Sequence, residues 1–493
     1  MVNIYYDARR ESNAMKKLCL RFSFLLLVSL FWPVWTAPAT PDKATAIEWV
    51  EEHAADLGEL NHDIWSFAEI GLEETRSAAA LQDVLRANGF TIESGVANMP
   101  TAFVASYGSG RPIIGILAEY DALPGLSQQA ATERVARDEV KAGHGCGHSV
   151  FATASTGAAI AAKQFLAEGG SGTIRLYGTP AEETGIGKTF MLRDGLFDDV
   201  DVIFSWHAND KTQVSFAYTK ALTSMKFRFH GLPAHSSTSP HQGRSALDAV
   251  ELMNIGANYL REHVKPDTRI HYVITHGGDQ PNVVPPEAEV WYYLRANKHY
   301  DVEDYFERLK KIAEGAALMT GTSWELQVDS DNHEVLPNRP LSELIYKNLE
   351  HIGPPKFTDE EKAFARAVQE SGGMEHEVAL SETLEPLTDE PGQGLASTDV
   401  GDVSWRVPVG RLTVATYAYG SPGHSWQIVA CTGTSIGEKG LLVAAKAMAA
   451  SAVDVFLDPS IAEAAREDFD RRRQAYPFVS LLPPDREAPK TIR

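Results

Sequence analysis

Apolar residues at Ile47, Val50, Ala54, Leu57, Leu60 and Ile64 recur near a 3.6-residue spacing and predict a largely helical opening over 41–87. Two short strands follow at 103–107 and 113–118. The second is an almost unbroken apolar run, as in a sheet covered on both faces. An Ala-rich helix at 149–168, a strand at 172–177, a helix at 188–194 and a strand at 200–205 continue a βαβ alternation. That alternation predicts an α/β domain with a mostly parallel central sheet flanked by helices. After about residue 218 the period changes. The segment 222–230 alternates like a half-exposed strand, 243–264 is amphipathic, 269–275 and 288–296 read as strands, 302–320 as a helix and 323–328 as a strand. This is the order of a ferredoxin-like α+β module. Because α/β signals return afterwards (helices at 359–371 and 440–456, a strand at 412–419, a loop over 372–392), the module is read as an insertion. The expected organisation is an N-terminal extension and signal peptide over 1–39 and a catalytic domain from 40–218 and 336–457. A lid or dimerisation domain occupies 219–335, and a charged, Pro-rich tail without evident chemistry occupies 458–493.

The N-terminus changes the picture of where the chain works. From Met15, a basic start (Lys16, Lys17, Arg21), an apolar run over 22–35 and Ala37-Pro38-Ala39 match the three regions of a signal peptide. Export to the periplasm or outside the cell, with cleavage near Ala39 and Met15 as initiator, is the expectation. An uncleaved anchor is the alternative, and no later segment is expected to span a bilayer. Residues 1–39 hold five basic and two acidic residues, so the net charge of −21 becomes −24 without them. That balance argues against nucleic-acid or anionic-membrane partners and for a soluble exported protein; the expectation of a small-molecule amide substrate rests on the candidate chemistry further along the chain. Cys146 and Cys431 remain after processing. An oxidising compartment could pair them, and that disulfide competes with any chemistry assigned to Cys146.

The candidate chemistry begins at Lys141-Ala142-Gly143-His144-Gly145-Cys146-Gly147-His148, just before the Ala-rich helix. A thiol at a helix N-terminus is favoured as thiolate by the exposed N–H groups and the macrodipole. Thiolate and neutral imidazole are ligands that a borderline-soft divalent metal prefers. Alone, the stretch reads equally as a Gly-rich turn with a buried Cys and surface histidines. Further along, apolar strands run out into Glu119 and Asp121, then Glu182 and Glu183, then His207, and a later one precedes His424. Each has an ordinary reading as a turn former, a solvated pair or a satisfied histidine. Together they fall where open parallel sheets place ligands, outside the carboxyl ends of the strands. Cys146, His148, Glu183, His207 and His424 would suit one or two zinc-like ions, with Glu182 free as a base. Water on such an ion has a pKa near 7, and a neighbouring carboxylate can take its proton as it attacks an amide or ester carbonyl. A Cys nucleophile with a His base leaves the strand-end carboxylates unexplained, and a serine hydrolase is a weaker reading still.

The motifs G-H-G-C-G-H, P-A-E-E, S-W-H-A, G-L-P-A-H-S-S, P-N-V-V-P and G-S-P-G-H-S, in this order over roughly 45–455, resemble the aminoacylase/carboxypeptidase family of co-catalytic metallopeptidases. S-T-D-V-G-D-V-S-W followed by G-H-S-W-Q is most similar to its amidohydrolase branch of B-type aminobenzoyl-glutamate hydrolase chains. The resemblance implies two divalent ions per subunit, zinc or manganese, on Cys146, His148, Glu183, His207 and His424. It implies Glu182 as general base and Asp121 as a carboxylate that orients the site, and it leaves Glu119 open, since other branches carry a ligand His there. His235 and Asn282 match lid groups that polarise the scissile carbonyl, supplied in related dimers by the partner subunit. Arg295 is a candidate for holding a substrate carboxylate. Ser149-Val150-Phe151 departs from the Asp and later His of conjugate hydrolases, which weakens transfer of their substrate preference. The implied protein is a homodimeric amidohydrolase acting on N-acyl or N-aroyl amino acids, with a sister subunit left open. Alternatives are a carboxypeptidase or dipeptidase on the same site, or a binding protein that keeps the fold without turnover.

Overall fold

The computed structural model describes residues 42–491. The expected signal segment and its cleavage point near Ala39 lie outside the described residues. Three helices open the chain, α1 (Lys43–Glu52), α2 (Ala54–Phe67) and α3 (Thr75–Ala87). Then come β1 (Thr91–Ser94), β2 (Phe103–Ser109), β3 (Ile113–Ala118), α4 (His148–Ala167), β4 (Gly172–Gly178), α5 (Gly187–Arg193), β5 (Val202–Asn209) and β6 (Gln213–Val214). The inserted module is β7 (Ala221–His230), α6 (Ala246–Leu260), β8 (Arg269–His276), β9 (Glu287–Ala296), α7 (His299–Thr320) and β10 (Ser323–Asn332). The chain returns through α8 (Arg339–Ile352), α9 (Asp359–Ser371), α10 (Val400–Ser404), β11 (Val409–Ala415), α11 (Trp426–Thr432), α12 (Ser435–Leu457) and α13 (Ser460–Arg473).

The larger sheet has the order β1-β2-β4-β3-β5-β11-β6. Its centre, β4-β3-β5-β11, is parallel, and antiparallel strands close both edges. The chain is thus an α/β domain with a mixed, mostly parallel sheet, interrupted by an antiparallel sheet of order β8-β9-β7-β10. Strand alternation decides which residues face the site. Val202, Phe204 and Trp206 of β5, with Leu412 and Val414 of β11, join the core under α1, α4 and α12. Ser205, His207, Arg411 and Thr413 therefore point to the opposite face, where a cavity opens toward the inserted module. In that module Val290, Tyr292 and Leu294 of β9 pack into the same core as residues of α6 and α7, which leaves Tyr293 and Arg295 on the uncovered face, toward the cavity.

Four expectations need correction. First, β5 runs on through His207, so this imidazole sits within a strand rather than past its end, and β11 stops at Ala415 rather than 419. Second, α8 was not anticipated, although Leu341, Ile345 and Leu349 repeat at a helical interval behind an Asn338 cap and an early proline. Third, α12 is long and apolar enough to cross a membrane; 78% of its apolar window is buried, as a core helix of a packed domain requires. Fourth, the tail is packed: Leu482 and Ala488 enter the core shared with the inserted module, and Leu481 N donates to Asp331 at 2.6 Å.

Candidate active site

Cys146 and His148 are set by the tight turn into α4. Gly147 between them has φ +80°, and a Cβ there would lie 2.5 Å from the Ala208 Cβ, so only glycine lets this turn press on β5. His148 opens the helix fully buried, and its Nδ1 donates to Asp121 Oδ1 at 2.9 Å and to the Asp121 carbonyl at 3.1 Å. Nε2 faces inward, 3.4 Å from Glu119 Oε2 and 3.8 Å from Glu182 Oε2. Burial opposes a charge on this ring, but Cys146 and Asp121 outweigh it and hold the His148 pKa well above its ordinary value, so a cation at Nε2 would displace a proton. Asp121 uses its other oxygen to accept from Glu183 N at 3.0 Å. Burial pushes the Asp121 carboxyl up, but His148, the Glu183 N–H and Lys188 outweigh it and hold it below the usual range. His144, the other imidazole of the motif, turns away. It donates from Nε2 to Ile64 O at 3.0 Å, and burial lowers its pKa to about 4.

His207 is placed the same way as His148. Its Nδ1 donates to the Ala208 carbonyl at 2.7 Å, leaving Nε2 3.4 Å from Cys146 Sγ. Burial lowers its pKa to about 4, so it stands as a neutral imidazole. Glu182 and Glu183 follow Ala181, a non-glycine residue held at φ 55°. Buried Glu74 fixes that turn by accepting from Ala181 N at 2.8 Å, and it also accepts from Thr101 Oγ1 at 2.9 Å. His424 has φ 54° and a side chain 56% exposed, with Nε2 3.3 Å from Glu183 Oε2. Left-handed backbone at non-glycine residues is costly and gathers at functional sites.

Three overlapping groups result, each with its ligand atoms within 4.8 Å of one another: Cys146–His148–His207, Cys146–Glu183–His424 and Glu119–His148–Glu182. Cys146 belongs to the first two. Their donors, one thiol with imidazoles and carboxylates, suit a borderline divalent ion. Buried atoms without a hydrogen-bond partner converge here: His148 Nε2, Glu119 Oε2 and Glu183 Oε1. Unsatisfied buried polar atoms are costly; a cation among Cys146, His148 and His207 would satisfy the first, and one among Cys146, Glu183 and His424 the third. The charges show the same frustration. Burial, then Glu119 and Asp399, push the Glu182 carboxyl well up; burial, opposed by His148 and helped by Asp121 and Glu119, raises Glu183 to about 7. The expectation that the helix N-terminus makes Cys146 a thiolate fails without a cation, because burial and the nearby Glu183 push this thiol up. Cys146 and Cys431 are both free, so the disulfide alternative is not realised.

Glu119, Cys146, Glu182, Glu183, His207 and His424 line a cavity of about 400 Å³, together with Arg295 from the inserted module and Arg411 from β11. His235 and Asn282 do not reach it. Both are exposed in paired loops of the module, where Ser236 N donates to Asn282 O at 3.0 Å. His235 Nδ1 accepts from Ser237 N and Thr238 N, both at 3.2 Å, which leaves Nε2–H as its free donor. Four groups escaped the sequence reading: Glu74, Lys188, Asp399 and Arg411. Lys188, fully buried in α5, donates to Asp399 Oδ1 at 2.6 Å and lies 2.8 Å from Glu119 Oε1.

A family model described as a peptidase dimerisation domain matches residues 218–319. The B-type chain of the p-aminobenzoyl-glutamate hydrolase of Escherichia coli (strain K12) is 42% identical over 465 residues, 89% of this chain and 96% of that protein. A Xaa-Arg dipeptidase of Mus musculus is 28% identical over 90% of this chain and 97% of its own length. Among solved structures, an aminobenzoyl-glutamate utilization protein from Klebsiella pneumoniae aligns with a TM-score of 0.58 at 19% identity, covering 83% of this chain and 97% of that one. A dinuclear metal binding peptidase of the M20 family from Bacillus subtilis aligns with a TM-score of 0.54 at 18% identity, over 83% and 99%.

Proposed function

The chain belongs to the M20 peptidase family and is a hydrolase of carbon–nitrogen bonds, and from that premise we propose that it cleaves the amide of N-acyl or N-aroyl amino acids of the aminobenzoyl-glutamate type. The observation that carries this reading is the double use of Cys146 in two adjoining ligand groups with the Glu182 carboxylate beside them. In the proposed assignment one divalent ion, zinc or manganese, would be held by Cys146, His148 and His207, and a second by Cys146, Glu183 and His424. Such ions supply Lewis acidity toward the scissile carbonyl and a water of lowered pKa.

The remaining work falls to the chain's own side chains. Glu182, as the carboxylate that neighbouring cations would favour, takes a proton from the attacking water and returns it to the leaving nitrogen; burial, Glu119 and Asp399 raise its proton affinity and so favour the transfer. Asp121 holds His148 in the tautomer that directs Nε2 inward. Arg295 receives a substrate carboxylate. His235, with Nε2–H free, and Asn282 donate to the developing oxyanion of a partner subunit's site. A homodimer fits the surface. The inserted module exposes Ile255, Tyr259, Val273, Ile274, Leu318 and Met319 on α6, the edge strand β8 and α7, the kind of patch that marks an association site. The E. coli relative's name describes one subunit of a hydrolase, so pairing with a sister chain is the competing assembly. Export, with cleavage near Ala39, completes the proposal.

A dipeptidase activity is the second reading, favoured by the near full-length similarity to a Xaa-Arg dipeptidase. Incubating the metal-loaded chain with p-aminobenzoyl-glutamate, hippurate-type amides and Xaa-Arg dipeptides, with product release followed by chromatography, separates the readings. Release of p-aminobenzoate is expected. Turnover of the dipeptides alone would replace the proposal by the second reading, and turnover of none would leave a binding protein.

A further inference from the structure

Arg411 lies in β11 opposite Ser205 of β5, and both residues, with Thr413, line the cavity below the ligand cluster. Arg295 lines the same cavity from the other side, on β9 of the inserted module. Neither guanidinium makes an ion pair or hydrogen bond among the described residues, and Arg295 Nε is a buried donor without a partner. Of the carboxylates that share the cavity, Glu119 and Asp399 flank Lys188, Glu183 meets His424, and Glu182 lies 3.8 Å from His148 Nε2. Ser397 Oγ, on the same wall, is also buried without a partner. Burial lowers the pKa of both arginines, opposed by Tyr293 and then Glu182 at Arg295, and by Glu119 and then Glu182 at Arg411.

An arginine stays charged in a protein, and its planar fork matches a carboxylate. Two such groups, partly buried on one cavity and with no carboxylate in ion-pair contact, suit a ligand with two negative groups. A monocarboxylic amino acid would satisfy one and leave the other bare. An arginine leaving group would add a third cation.

We infer that Arg411 is a specificity-determining residue and that the site takes amides of a dicarboxylic amino acid, one carboxylate on Arg295 and the other on Arg411. This rests on the amidohydrolase reading above and names the substrate class of that site.

The test has a kinetic and a binding arm, both on the full metal-loaded chain. For wild type, kcat/KM for p-aminobenzoyl-glutamate should exceed that for p-aminobenzoyl-glutamine by about 100-fold, the scale of a hydrogen-bonded charge. Arg411→Gln should reduce that ratio to about 5-fold or less by losing the glutamate substrate alone, with metal content unchanged, and Arg411→Lys should recover part of it. In calorimetry, wild type should bind glutarate at least about 10-fold tighter than butyrate, and Arg411→Gln should bind them equally. The inference is overturned if wild type does not distinguish the members of either pair. It is also overturned if Arg411→Gln lowers both substrates in parallel. Loss of glutarate preference in Arg411→Gln without any amide turnover would keep the subsite and discard the amidohydrolase reading.

Discussion

Lys188 is the sharpest place to perturb the site without touching a candidate ligand. Its ammonium is fully buried between Asp399 Oδ1 at 2.6 Å and Glu119 Oε1 at 2.8 Å. Lys188→Met keeps the approximate length of the side chain and strands two buried carboxylates. Removing one partner of a buried ion pair costs about 3–5 kcal/mol. With an unfolding entropy of ~2.1 cal/mol/K per residue, the described chain of some 450 residues loses about 1 °C of Tm per kcal/mol, so a drop of about 3–5 °C is expected. The pH dependence carries more information than the size. Asp399 titrates at about 6, raised by burial and by Glu119 against the pull of Lys188. Without Lys188 its folded-state pKa rises further, so protonation relieves the strain at low pH, and the deficit relative to wild type opens as pH rises above about 6 and is complete above the variant's higher value. Thermal unfolding followed by circular dichroism from pH 5 to 8 reads both quantities. A Lys188→Met variant as stable as wild type at pH 8, or a deficit that grows toward pH 5, would refute the reasoning. Restoring neutrality with Glu119→Gln and Asp399→Asn in the same chain should recover most of the loss.

Other outcomes follow from the same geometry. Glu182→Gln should retain its metal and lose about 10²–10⁴-fold in kcat, measured by p-aminobenzoate release, since a general base contributes on that scale. His235→Ala and Glu182→Gln should each be nearly inactive as homodimers, yet mixed and reassembled they should regain about a quarter of wild-type activity, because half of a random mixture holds one site with both groups intact; no regain would mean that His235 does not act across the dimer. Metal affinity in calorimetry should rise from pH 6 to pH 8 with proton release, because Glu183 titrates near 7 and the Cys146 thiol lies above its ordinary range before the ion arrives; a flat profile would argue against their joint role as ligands.

Much of the architecture was legible because the two periods switch cleanly. The alternation over 222–230 and 288–296 and the amphipathic stretches between them mark the inserted module, and the unbroken apolar run at 113–118 marks a strand covered on both faces. The failures have local causes. A helix with a charged outer face, α8, hid its three core residues among polar ones. β11 was drawn too far because Tyr417 and Ala418 are buried in a loop rather than a strand. The site was legible in its donors, since thiol, imidazole and carboxylate types recur at successive segments. Its charge balance was not. Lys188 looks like a solvated helix residue until the fold places it between Glu119 and Asp399, and Glu74 has no motif around it. Arg411 did leave a signal: a lone arginine in an otherwise apolar strand, on the side that alternation assigns to the cavity. The thiolate expected from the helix end fails because desolvation outweighs a partial dipole charge once the turn is buried.

The central claim is that Cys146 is shared by two ions, and metal content per chain tests it most directly. After saturation with zinc or manganese and exhaustive dialysis, mass spectrometry of the metal should find two ions in wild type, about one in His207→Ala and in His424→Ala, and none retained in Cys146→Ala. Two ions retained in Cys146→Ala, or loss of both in each single histidine variant, would contradict a shared thiolate.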